Sequence, residues 1–135
     1  MDAKLTEILE MEAPWLYRCE VVANVGDGWF WILLGLSRKL EEICIRQEAD
    51  GLPVMIAVVA VEHFGSLQFS VQDAPAEAIA LIRIAQDLSA MTCDCCGEPG
   101  RLRQVGQWLR TRCIVHAWKL SGLPATGQAE GGEEA

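Results

Sequence analysis

Hydrophobic positions recur along this chain with two different periods, and the switches between them divide it into elements. Over residues 4–17, Leu5, Ile8 and Leu9, with Glu12 beyond them, fall on successive turns, which predicts a short amphipathic helix stopped near Pro14. Asn24-Val-Gly-Asp-Gly28 supplies turn chemistry and, in Asp27, an N-cap for the next segment. From Gly28 to Arg46 the apolar positions Trp29, Ile32, Leu33, Leu36, Leu40, Ile43 and Cys44 step by threes and fours. This predicts a core-facing helix closed by Asp50-Gly51.

The pattern then changes. Pro53 to Val61 is rich in β-branched residues suited to a buried strand, and Leu67, Phe69 and Val71 alternate with polar residues. With Phe64-Gly65-Ser66 as a tight connection, the two form an antiparallel hairpin with one face in the core. Helical spacing returns from Ala76 to Met91 behind Pro75, with Ile79, Ile82, Ile84 or Ala85, and Leu88 as its apolar stripe. Arg101 to Val105 and Gln107 to Arg112 flank a Gly106 turn and predict a short hairpin. Cys113 to Leu120 reads as one or two helical turns ending at Gly122. The predicted class is α+β: helices packed on a small antiparallel hairpin, with a C-terminal finger. Residues 1–92 form the body and 93–123 a lobe packed on it, while 124–135, small, polar and acidic, form a disordered tail.

The chemistry concentrates in the finger. Cys93-Asp-Cys-Cys96-Gly97 is followed by Cys113-Ile-Val-His116, two ligand pairs at a spacing that suits a structural zinc site. Three thiolates and one imidazole fill all four tetrahedral positions of one Zn²⁺ and leave none open for a substrate. Gly97 accommodates the sharp turn after the second cysteine, and Cys113 and His116, three apart, share a face of a helical turn. The order turn, hairpin, helix resembles that of a treble-clef zinc finger. Cys95, in the same turn, is either a neighbouring free thiol or a replacement for Cys96 as ligand. A redox Cys-x-x-Cys would need a βαβ setting and an exposed low-pKa thiol, and the chain has no parallel-sheet pattern. Cys19 and Cys44, among apolar neighbours, are expected to be buried and inert.

Charge narrows the partners. The formal net charge is −8, placed as −8 over residues 1–92, +3 over 93–123 and −3 beyond. A ligated Cys₃His site adds about −1, so neither part has the footprint of a strong nucleic-acid binder. Arg101, Arg103, Arg110 and Arg112 alternate along the predicted finger hairpin, so the members of each pair share a face. They read as phosphate contacts, as a solvated face, or as partners of the acidic body, and the overall charge of −8 favours the last two over the first. Trp29, Phe30 and Trp31 are consecutive on a helix and point about 100° apart, so at least one is exposed or sits at an interface.

Other classes are disfavoured. His63 has no partner nucleophile and reads as a turn histidine. There is no Ser-His-Asp set, Gly-rich phosphate loop or paired-carboxylate signature, so the expectation is a protein without catalysis. The apolar runs Trp29 to Leu36 and Leu52 to Val61 fall short of the roughly 20 residues of a membrane span, and the N-terminus has no secretory pattern, which makes the cytoplasm the expected compartment. A composition 51% hydrophobic with positive mean hydropathy implies a folded chain and favours a homodimer or a stable protein partner.

Gly28-Trp29 at a helix start, Val61-Glu-His-Phe-Gly-Ser-Leu-Gln-Phe69, Cys93 to Gly100, and Trp108-Leu-Arg-Thr-Arg-Cys-Ile-Val-His-Ala117 together resemble a poorly characterised family of small bacterial and phage proteins. Members combine a Gly-Trp helix start, a Phe-Gly-x-Leu-x-Phe strand pair and a C-terminal Cys-x-x-Cys-Gly finger, and the likeness spans roughly residues 26–118. Val61, His63 and Gln68 stand where that pattern has basic residues. The resemblance implies the metal, and the family's association with mobile elements implies inhibitor, immunity or anti-defence roles. The first expectation is therefore a zinc-stapled domain that binds and blocks or regulates a protein partner, of toxin-immunity or phage anti-defence type. The second is a nucleic-acid-binding regulator working through the arginine hairpin.

Overall fold

The computed structural model describes residues 1–119; the predicted helix end at Gly122 and tail 124–135 lie outside the described residues. Helix α1, Ala3–Glu12, is opened by Asp2, whose carboxylate accepts from the Lys4 backbone N–H at 2.8 Å. It ends before Pro14, and the chain continues through turns. Of its apolar positions only Leu9 is fully buried; Leu5 is half-buried and Ile8 is exposed. The turn after α1 is held from below: the buried Glu41 carboxylate accepts from the backbone N–H groups of Trp15 (3.0 Å) and Leu16 (2.9 Å). A buried carboxylate needs such donors to offset its lost hydration.

Asp27 is not the N-cap expected of it. It lies inside a 3₁₀ turn, Asp27–Trp29, that leads into α2, Phe30–Ala49, and its carboxylate accepts instead from the backbone N–H of Asp2 at 2.8 Å. Along α2 the buried positions Leu33, Leu36, Leu40, Ile43 and Cys44 keep the predicted stripe, while Ile32 is only half-buried and Phe30 is buried in addition. The Cys44 thiol donates to the Met55 carbonyl at 3.4 Å. Cys19, expected inside, is exposed, because the irregular stretch after α1 runs over the surface.

Strands β1 (Val22–Asn24), β2 (Ile56–His63) and β3 (Ser66–Gln72) form a sheet with β2 in the centre. β2 and β3 are the predicted hairpin, joined through Phe64 and Gly65, both at positive φ (51° and 88°), the backbone that a tight two-residue hairpin turn requires. β1 pairs parallel to β2, Ala23 opposite Ala60, and has no counterpart among the predicted elements. Three residues are too few to display a period.

Helix α3, Ala76–Ser89, packs on α2 and β3 through a face that keeps Ile82 and Ala85 of the predicted stripe but replaces Ile79 and Leu88 by Ala78 and Ser89. Ala78, Ile82, Ala85 and Ser89 are buried, whereas Ile79, Ile84 and Leu88 are 46%, 58% and 45% exposed. The polar partners explain the choice. The Ser89 hydroxyl accepts from the Leu67 N–H (2.8 Å) and the Gln86 side-chain oxygen from the Phe69 N–H (3.2 Å), so α3 satisfies edge donors of β3 that its larger apolar side chains could not. Small residues on that face bring the helix close enough to do so. No helix among the described residues is long and apolar enough to cross a membrane.

Candidate metal centre

The finger begins where α3 ends. Cys93 N–H donates to the Glu98 carbonyl (2.8 Å) and Gly97 N–H to the Cys93 carbonyl (3.0 Å), which folds residues 93–97 into a tight turn with Gly97 at φ 83°. Strands β4 (Arg101–Val105) and β5 (Trp108–Arg112) then form the predicted hairpin, and β5 delivers the chain directly to Cys113. Past Cys113 the predicted helical segment is a pair of successive turns, closed by His116 N–H to the Cys113 carbonyl (3.2 Å) and Lys119 N–H to the His116 carbonyl (3.1 Å). Within residues 113–119 there is no regular helix.

These two segments bring Cys93, Cys96, Cys113 and His116 together, one donor atom from each, all within 4.8 Å of one another. Cys96 Sγ lies 3.7 Å from Cys113 Sγ, and His116 Nδ1 lies 3.3 Å from Cys113 Sγ and 3.8 Å from Cys93 Sγ. Sulfurs on one tetrahedral ion, each about 2.3 Å from it, stand about 3.8 Å apart, and a disulfide would need about 2.05 Å. The four donors thus have the spacing of a tetrahedral metal site and not of a disulfide. Burial alone would raise the Cys93 thiol, but hydrogen bonds from the Cys113, Cys95 and Cys96 backbone outweigh it and bring the pKa down to about 6.

Cys95 stands outside this set. Its thiol donates to Asp94 Oδ1 (3.4 Å), and burial, then the Asp94 charge, push its pKa up to about 12. Cys93, Asp94 and Cys95 also place donor atoms within 4.8 Å of one another, but Asp94 is committed to two arginines. Cys95→Ser is therefore expected to keep one equivalent of bound metal and Cys96→Ser to lose most of it. Metal analysis of protein purified without added metal decides this, and retention by Cys96→Ser would transfer the ligand role to Cys95.

The four arginines separate into two kinds. Arg112, 1% exposed, places Nε 2.8 Å from Asp94 Oδ1, while Arg110 places Nε 3.3 Å from Asp94 Oδ2 and Nη1 3.3 Å from the Glu62 carboxylate of β2. Phosphate contact through Arg110 and Arg112 is therefore replaced by pairing with carboxylates of their own chain. Asp94 is buried inside the metal turn, and a buried carboxylate is stable only when paired. Arg103 is half-buried and donates to the Arg112 carbonyl (2.8 Å); Arg101 is exposed.

The Trp29-Phe30-Trp31 run is likewise divided. Trp29 is fully buried and its Nε1 donates to the Thr92 carbonyl (2.9 Å), one residue before the first ligand. Phe30 is buried and meets Trp31 edge to face at 5.2 Å, and Trp31 is 75% exposed. Beside Trp29 the backbone itself is the contact surface. Gly28 N–H donates to the Asp94 carbonyl (3.0 Å), and a Cβ on Gly28 would lie 2.1 Å from the Cys93 oxygen. A Cβ on Gly26 would lie 2.0 Å from the Asp94 oxygen. The glycine-tryptophan step is the seat of the metal turn, a role sequence reasoning missed, although glycines at both positions flanking Asp27 were its visible trace. His63 is exposed at the end of β2, its ring 4.2 Å from that of Phe64.

Beside Cys113 and His116 the chain exposes large apolar side chains. Ile114, Val115 and Trp118, between and just beyond Cys113 and His116, are 72%, 81% and 79% exposed. No protein-family model, curated protein or solved structure matches the chain. What the motif resemblance shares with the structure is the Cys/His cluster.

Proposed function

We propose that the protein is a non-catalytic interaction module stapled by one structural zinc ion in a treble-clef-like finger, and that it binds and thereby blocks or regulates a protein partner. Zinc is the metal best suited to a closed Cys₃His set, since it imposes no geometry beyond the tetrahedron and needs no redox chemistry. The observation that carries the binding role is the exposed trio Ile114, Val115 and Trp118 on the turn that also supplies Cys113 and His116. An apolar group of this kind on a metal-fixed turn is pre-organised for an apolar patch on another protein, with tryptophan as anchor. The formal charge of −8 favours rapid encounter with a basic partner, of the kind that immunity and anti-defence proteins neutralise.

The nucleic-acid reading loses support from the inward turn of Arg110 and Arg112, which leaves two of the four arginines with surface to offer. The test is a pull-down from the native cells with the wild type and with Val115→Glu/Trp118→Ser. A partner retained by the first at moderate salt and lost by the second supports the proposal. Recovery of the same partners by both variants, or retention of DNA or RNA that falls steeply with salt, would reject it.

A further inference from the structure

We infer that Arg112 is a positioning residue of the metal site, tying together the two chain segments that carry its ligands; this rests on the metal-binding reading of Cys93, Cys96, Cys113 and His116. The first segment contributes Cys93 and Cys96 with Asp94 between them, and the second contributes Cys113 and His116. They are separated in sequence by the whole β4–β5 hairpin. Arg112 is the last residue of β5, immediately before Cys113, and its guanidinium reaches both. Nε donates to Asp94 Oδ1 at 2.8 Å, and Nη1 donates to the carbonyls of His116 (3.4 Å) and Lys119.

A guanidinium is a rigid plane with its donors at fixed positions, so anchoring one edge on Asp94 fixes where the other edge holds the second turn. The position of the His116 backbone in turn sets where its imidazole projects, with Nδ1 3.3 Å from Cys113 Sγ and 3.8 Å from Cys93 Sγ. Charge balance alone does not require this arrangement, because Asp94 also has Arg110 against its other oxygen. Contacts outside the ligand set that orient metal ligands typically carry about 10- to 100-fold in metal affinity. Lysine cannot replace the fork: its ammonium is a single point on a flexible stem and would reach Asp94 or the carbonyls without fixing one against the other.

The experiment measures Zn²⁺ affinity by competition with a chromophoric chelator and the visible spectrum of the Co²⁺-loaded protein, whose d–d bands report the nitrogen and sulfur ligands. Arg112→Lys is expected to lower Zn²⁺ affinity about 10- to 100-fold and to alter the d–d bands. In a His116→Ala background the same substitution is expected to cost much less, since its main lever is gone. A wild type that binds one Co²⁺ while Arg112→Lys matches it in affinity and spectrum overturns the inference, as does an equal loss in both backgrounds, which marks a role in fold stability only. A wild type that takes up neither ion overturns the metal reading itself and the inference with it. Should Arg112→Lys fail to fold, Asp94→Asn, nearly isosteric, cuts the other end of the tie; weakened affinity with altered bands supports the inference, and unchanged values overturn it.

Discussion

Cys113→Ser is expected to abolish metal binding and to unfold more than the finger. Removing one thiolate opens the tetrahedron, and in small zinc domains the binding energy, about 10–16 kcal/mol at neutral pH, is also folding energy. The loss spreads here because the metal turn is bonded to the body. Trp29 Nε1 rests on the Thr92 carbonyl, Gly28 N–H on the Asp94 carbonyl, and the Thr111 hydroxyl on the Gly65 carbonyl of the β2–β3 turn. Those contacts predict that a strong chelator or Cys113→Ser lowers the melting temperature of the whole domain and exposes Trp29. Tryptophan emission that shifts to the red together with loss of far-ultraviolet ellipticity would establish it. Metal loss that leaves the buried-tryptophan emission and the main melting transition untouched would show that the body stands alone.

The second large effect is expected from a single methyl group. In Gly28→Ala the new Cβ meets the Cys93 oxygen at 2.1 Å, the Asp94 carbonyl carbon at 2.7 Å and the Gly97 nitrogen at 2.7 Å. All three are backbone atoms of the metal turn, so no side chain can swing aside. Either the start of α2 or the turn itself must shift, and a loss of about 3–5 kcal/mol is expected, at the upper end for point substitutions. Gly35→Ala is the matched control. Gly35 lies inside α2 with nothing within 4 Å of its Cβ position, and there the same change should stabilise by about 0.5–1 kcal/mol through helix propensity. Urea titration of the two variants should therefore move in opposite directions. A Gly28→Ala protein as stable as the wild type would mean that the helix start does not seat the turn.

How much of this was legible depended on whether each element carried its own determinants. α2 repeats its apolar stripe over twenty residues, and the β2–β3 hairpin pairs an alternating strand with a β-branched one across Phe64-Gly65, so both were predictable locally. The four-residue Cys/His cluster was legible because the pairing of such donors at two short gaps is itself the signal. α3 was legible as a helix and only in part in its orientation, with Ile82 and Ala85 buried as expected and Ile79 and Leu88 not. Its sequence offers two apolar faces, and the buried one was selected by Ser89 and Gln86 answering the open N–H groups of Leu67 and Phe69. The arginines were legible as alternatives only, and pairing with carboxylates is the one that holds for Arg110 and Arg112. Arg101 stands opposite Arg112 and Arg103 opposite Arg110 in the ladder, a repulsive pattern when read as a strand pair alone, and it becomes stable once Asp94 and Glu62 draw Arg110 and Arg112 inward.

The choice between Cys95 and Cys96 shows the same division on the scale of one residue. Sequence spacing admits both, and the turn decides, because Gly97 at φ 83° and the Cys93–Gly97 backbone bond leave Cys96 facing Cys113 while Cys95 turns to Asp94. By itself, then, the sequence determined the class of the protein, the long helix, the strand pair and the identity of a Cys₃His cluster, since all of these come from short-range period, turn chemistry and donor type. Only the tertiary structure decided which thiol joins the Cys/His cluster, which arginines are spent inside, and that the Gly26–Trp29 step seats the cysteine turn. Those outcomes depend on buried charge finding its partner and on backbones approaching within a methyl radius, which no local pattern encodes.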